Sequence, residues 1–185
     1  MKQLKLMFLA IAGFFIGGLR KTFATANVET ATGTDKVFTR RADAAHSDTH
    51  LLVKTGSDAF HIAVAGAADR PFGSTSDSPD NAEDITHVDP LERTDSSRRL
   101  RCATALAADI DVYSAANGFV QAEPTTAGVF WWVGRTAALA VQEGSGNYVV
   151  QVVTHTPIKL TVAATPSTVG NIATALATPG LVKFL

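Results

Sequence analysis

Short runs, alternating or β-branched, follow one another along most of this chain with turn residues between them. They recur every eight to twelve residues or so, which is the spacing of strands in small all-β folds. In 59–65 (AFHIAVA), Phe60, Ile62 and Val64 alternate with Ala59, His61, Ala63 and Ala65, giving a strand with one apolar face. Comparable runs lie at 50–54, 84–88, 98–103, 109–113, 119–122, 129–133, 137–142, 148–154 and 158–163. Asn117-Gly118 sits between two of them, a strong short-range hairpin signal because both residues tolerate positive φ. Gly144-Ser145-Gly146-Asn147 marks a second hairpin. Residues 66–71 read as a turn and 74–83 (STSDSPDNAE) as a long polar loop. No strand–helix alternation supports a parallel sheet, so the expected fold is all-β, a small β-barrel or sandwich.

Both ends of the chain differ from this β region. Residues 1–26 open with a basic start and a 14-residue apolar run, Leu6 to Leu19, followed by Arg20-Lys21. Three readings fit: a retained helix packed on protein, a cleaved signal ending at Ala24-Thr25-Ala26, or a membrane anchor. Against the signal, Arg20 and Lys21 occupy a stretch that is usually neutral. Against the anchor, fourteen helical residues reach about 21 Å, short of the hydrocarbon core. Residues 27–49 form a polar arm or linker with one short strand at 36–39, and 50–163 the β-domain. Residues 164–185 hold a short helix capped by Ser167, ending before Pro179 and Gly180, and a tail. The expected outline is thus a β-core with an extended N-terminal apolar arm and a short C-terminal helix.

Charge narrows the function. The formal net charge of -1 removes the electrostatic case for a nucleic-acid partner. A single cysteine, Cys102, excludes an internal disulfide framework and a cysteine-based zinc cage. Residues 102–185 carry only seven charged side chains, whereas a free monomeric surface normally carries far more. One reading is a surface of Thr, Ser and Ala. The other is burial of this half against further subunits, since uncharged cores mark protein interfaces.

The chemistry that the residues offer is thin. His46, Asp48 and His50 alternate, so a strand would place all three on one face toward a metal ion, but polar strand starts produce the same pattern. Gly144-Ser145-Gly146 lacks the lysine of a phosphate loop, and no G-x-S-x-G elbow is present. Acidic residues are scattered over loops with no spacing that pairs two for acid–base work. Cys102 follows Leu100 at period 2 and reads as a small buried residue. The expectation is a protein that is not an enzyme, with no catalytic residue, cofactor or metal. Interface candidates remain. Arg98, Arg99 and Arg101, with Arg93, form the one basic cluster, read first as a solvated strand edge, next as a docking patch for an acidic protein surface, and last as a nucleic-acid contact. Trp131 and Trp132 face opposite sides of one strand, one as core and one as a contact anchor. Phe8, Phe14, Phe15 and Ile16 of the apolar run complete the set.

The order of segments carries a resemblance. Leu52-Val53-Lys54 and Phe60-His61-Ile62-Ala63-Val64 precede Ala68-Asp69-Arg70-Pro71-Phe72-Gly73. Asp111-Val112-Tyr113-Ser114-Ala115-Ala116-Asn117-Gly118-Phe119-Val120 follows. The series ends with Gly128-Val129-Phe130-Trp131-Trp132-Val133-Gly134-Arg135-Thr136-Ala137 and the run at 148–153. Over residues 51–157 this succession resembles the small β-barrel cement, or decoration, proteins of tailed-phage capsids. The resemblance implies a structural protein that binds the major capsid protein on the outer face of the assembled head. It also implies self-association, often as a homotrimer, and a virion location; from the charge and the short apolar run, neither nucleic acid nor membrane is expected as partner. The competing expectation is a secreted or membrane-tethered β-domain that binds a surface partner.

Overall fold

A computed structural model describes residues 38–92, 97–144, 146–164 and 180–185. The apolar run with Phe8, Phe14, Phe15 and Ile16, and the helix expected from Ser167, lie outside the described residues. What is described is all-β: β1 (Phe38–Ala42), β2 (Leu52–Thr55), β3 (His61–Val64), β4 (Gly73–Thr75), β5 (Ile85–Pro90), β6 (Ser97–Cys102), β7 (Asp111–Ser114), β8 (Val120–Gln121), β9 (Gly128–Thr136), β10 (Val141–Glu143), β11 (Asn147–Ala163) and β12 (Leu181–Phe184). Among the described residues no helix is long and apolar enough to cross a membrane.

The first five strands close a barrel in the order β1-β3-β2-β4-β5. Strand β1 closes it, parallel to β3 through Arg41↔His61 and antiparallel to β5 through Phe38↔Val88 to Arg41↔Ile85. The remaining strands form a seven-stranded sheet, ordered β10-β11-β6-β8-β7-β9, with β12 also on β11. The pairing path of this sheet returns on itself because β11 is 17 residues long. Its first half pairs β6 from Tyr148↔Cys102 to Val153↔Ser97, and its second half pairs β9 from Ile158↔Trp132 to Val162↔Gly128. Between them the register slips: His155, Thr156 and Pro157 stand opposite Val133 alone. A bulge is where a strand tolerates proline, which has no N–H for the ladder.

Each closed set has its own interior, and the two meet. Val53, Ile62 and Val88 fill the barrel, with Phe72 packed against them. The larger cluster is Leu100, Cys102, Leu106, Val112, Val120, Val133, Val150 and Val152, joined by Leu52, Ala65 and Leu91 from the barrel side. Burial alternates along β6, so Leu100 and Cys102 point inward while Arg99 stays exposed. The β7–β8 hairpin docks the sheet on the barrel: Gly118 donates its N–H to Ala65 O at 2.7 Å. Its φ is +71°, and a Cβ there would meet Leu52 O at 2.8 Å, so only glycine fits the tip.

The expected hairpins at Asn117-Gly118 and 144–147 form, the first as Tyr113↔Gln121 and Ser114↔Val120, the second as Val141↔Val149 to Glu143↔Asn147. Other expectations need correction. The strand read at 36–39 runs Phe38–Ala42 and belongs to the barrel wall. The loop read from residue 74 begins with β4, whose buried Ser74 and Thr75 hide their polarity in pairing with β2 and β5. Of the strand read at 137–142 only Val141 and Gln142 remain strand, because β9 extends to Thr136 before the chain turns. The tail adds β12, parallel to β11.

Candidate interaction surface

The two tryptophans stand in the middle of β9, and neither is fully buried. Trp132 packs on the buried cluster of Tyr113, Phe130, Leu160 and Val162. Its indole Nε1–H donates to the Asp111 carboxylate at 3.1 Å. His155 from the bulge stacks its ring on the indole, at 5.2 Å between centroids and 10° between planes. Ile158, 42% exposed, is the cross-strand partner of Trp132. Trp132, His155 and Ile158 therefore make one continuous aromatic and aliphatic surface, built by the irregularity in β11. Trp131 sits on the barrel side: its Nε1–H donates to Ala68 O at 3.0 Å, and the Arg70 guanidinium lies 5.9 Å over its ring. Buried Ser114 completes this junction, donating to Ala67 O at 2.6 Å and accepting the Trp131 backbone N–H at 2.9 Å. The division into one core and one anchor tryptophan is therefore replaced by two half-buried rings, each with its N–H satisfied.

A cleft of about 390 Å³ adjoins this surface, lined by Asp109, Ile110, Asp111, Tyr113, Ala122, Glu123 and Arg135. Its charges are largely matched. Arg135 donates through Nε to Asp109 at 2.7 Å and through Nη2 to Asp109 O at 2.9 Å. That carboxylate holds the guanidinium further above its ordinary range. Glu123 pairs with Lys183 of β12 at 2.9 Å. Burial, then Asp111 and Glu123, push the Tyr113 hydroxyl upward, so it stays neutral.

The arginines of β6 do not form an open patch. Strand β6 pairs along its whole length with β11, whereas β8 reaches it only at Cys102 and the Arg101 N–H donates to His50 O. Arg101, with its side chain 11% exposed, pairs with Asp48 at 3.2 Å and donates to Thr49 O. Arg99 pairs with Glu143 across the sheet. Arg98 faces inward at Val152, and its buried Nε and Nη2 have no hydrogen-bond partner among the described residues. Arg93 lies outside the described residues. The cluster thus serves largely to fasten the 43–50 segment and β10 to the sheet.

That segment contains His46, Asp48 and His50, which do not lie on a strand. His46 Nδ1–H donates to Asp48 O, Asp48 faces Arg101, and His50 turns at φ +63°. Burial, then Arg99, lower the His50 pKa. Among the described residues no three His, Cys, Asp or Glu side chains converge to hold a metal ion. Cys102 is buried in the larger cluster, and burial pushes its thiol up to about 11.

Sequence reasoning missed His155 and Ile158 as partners of Trp132, because the bulge that brings them there is a register property. The exposed Leu139 (68%) and Val141 (66%) were concealed inside an expected half-buried strand. The signal available for the bulge was Pro157 within an otherwise β-branched run.

No family model matches this chain, and no curated protein does. Among solved structures the chain is similar to the N base of the head fiber gp8.5 in bacteriophage phi29. The identity is 16% over 64% of this chain and 95% of that one, with a TM-score of 0.45.

Proposed function

We propose that this protein is a structural component of a phage head: a decoration, or cement, protein that binds the major capsid protein on the assembled shell. It self-associates, a trimer being the oligomer implied by the family it resembles, and it acts by contact and not by catalysis. The observation that carries the reading is the surface of Trp132, His155 and Ile158, set in a half of the chain with only seven charged side chains. Apolar and aromatic groups of this kind dominate the energetics of protein contacts, whereas exposed ion pairs add little. A clamp across neighbouring capsid subunits raises the cost of separating them, and needs rigid β structure more than a reactive group. Support also comes from the segment order over residues 51–157, which resembles the cement family.

Peptide mass spectrometry on density-purified virus-like particles from the source tests this. A copy number comparable to that of the major shell protein is the expected result. Absence from particles, with a mature chain starting at Asn27 in the secreted fraction, would replace the reading with a surface-binding domain.

A further inference from the structure

Three of the five histidines contact one surface loop, residues 76–84 between β4 and β5. At its start the loop is fixed by Asp77, whose carboxylate accepts from the Thr86 hydroxyl, the His87 N–H and the His87 ring. Burial tends to raise the Asp77 pKa, but these donors outweigh it and hold the group below its ordinary value, so this end stays fastened. In the middle, His46 N–H donates to Pro79 O at 3.1 Å beside a cavity of about 200 Å³ lined by residues 45–47, Pro79 and Asp80.

The far end is held differently. His61 on β3 places Nδ1 2.7 Å from the Asp58 carboxylate and Nε2 3.1 and 3.2 Å from the two Glu83 oxygens. A carboxylate only accepts, so both ring nitrogens must donate, and only the imidazolium does that. Glu83 meanwhile sits at φ +70°, a strained conformation for a residue with a Cβ. It is kept there by its N–H on Ala42 O, its carbonyl under Arg41 Nη1, and its carboxylate on His61.

We propose that His61 is a proton-operated latch: protonated, it clamps the end of the 76–84 loop to the β2–β3 turn through Glu83 and Asp58, and on losing its proton it releases Glu83. The charged groups facing it are Asp58 from the turn, Glu83 from the loop and Arg41 from β1, whose guanidinium lies 3.9 Å from Glu83. Asp58 keeps its hold in the neutral state because its bond is the shorter, and the Phe60 N–H also anchors it at 2.7 Å. Glu83 has the longer contacts and a largely exposed side chain, so it lets go. Asp58 first, then Glu83, raise the His61 pKa above its ordinary value. The clamp is therefore complete below the ordinary histidine range and is lost as pH rises through the raised folded value. Loop and barrel remain joined at Asp77, which acts as the hinge.

The test is nuclear magnetic resonance of the full chain between pH 5.5 and 8.5. It follows the His61 ring protons and the hydrogen-exchange protection factors of Asn81 to Asp84, corrected for intrinsic exchange. His61 is expected to titrate above its ordinary value, and loop protection to fall through that same pH. The fall should match the factor by which loop closure through Glu83 raises the proton affinity of His61, about tenfold for each pKa unit lost in Glu83→Gln. In Glu83→Gln the His61 titration should move down and the loop lose its pH dependence; His61→Gln should show the loosened loop at every pH. Titration at or below the ordinary value, or protection that does not follow it, would overturn the latch.

Discussion

Leu52 and Val53 are chain neighbours with no exposed surface, yet they belong to different interiors. Alternation along β2 sends Val53 into the barrel and Leu52 out of it, into the cluster of Leu100, Val112, Val133 and Val150. One strand is thereby shared between the two closed sets. Leu52→Ala leaves a cavity at their junction and is expected to cost about 2–5 kcal/mol. Because the junction is apolar and continuous, denaturant should unfold wild type and variant in a single transition. Two resolved transitions in Leu52→Ala would show that the barrel holds together without the sheet.

Gly134 lies where β9 crosses the bulge, and a Cβ on it would run into the carbonyl oxygen of Val153. Backbone cannot retreat there without breaking Thr154↔Gly134 and Val112↔Gly134. Gly144, at φ +69° in the β10–β11 turn, has nothing within 4 Å of the same position. Gly144→Ala should therefore cost only the left-handed conformation, about 1–2 kcal/mol. Gly134→Ala should cost clearly more. Equal shifts in unfolding midpoint would mean that the bulge yields easily.

Period-2 runs and the Asn117-Gly118 and Gly144–Asn147 turns depend on local residue chemistry, and they mark most strands correctly. Strand β4 stayed hidden because Gly73, Ser74 and Thr75 look like loop residues; their burial follows from pairing with β2 and β5. The partition into two closed sets depends on which strands pair, and sequence spacing does not contain that. The candidate surface was half legible. Trp132 was a candidate by type, whereas the stack on His155 arises from a slipped register in β11. The arginines of β6 looked like an open patch because their charge was visible while their partners, Asp48 and Glu143, lay far along the chain.

Burial sets the reactivity of Cys102. With its thiol pushed up to about 11, only about one molecule in a thousand carries the thiolate at pH 8, and the sulfur has no exposed surface. Modification by a disulfide reagent should be orders of magnitude slower in the folded chain than in denaturant. Its rate should track global unfolding as denaturant is added. Fast modification of the native protein would place Cys102 in a region that opens locally.

Trp132 separates the contact role from the structural one. Its loss removes the stack on His155 and the bond to Asp111, while Phe130, Leu160 and Val162 stay buried beneath it. Trp132 is only half-buried, so Trp132→Ala should cost less than the roughly 3–5 kcal/mol of a core tryptophan and remain folded at room temperature. If this surface meets the capsid, the same change should weaken binding to purified shells by about 2 kcal/mol or more, roughly thirtyfold. Leu139→Ser, at an exposed position on the way into β10 and away from Trp132, His155 and Ile158 in sequence, should leave binding nearly unchanged. Co-sedimentation with shells, beside thermal unfolding of each variant, reads both quantities. Full binding by Trp132→Ala together with loss in Leu139→Ser would move the contact face to the β9–β10 connection, because exposure would then have outweighed aromatic area in choosing it.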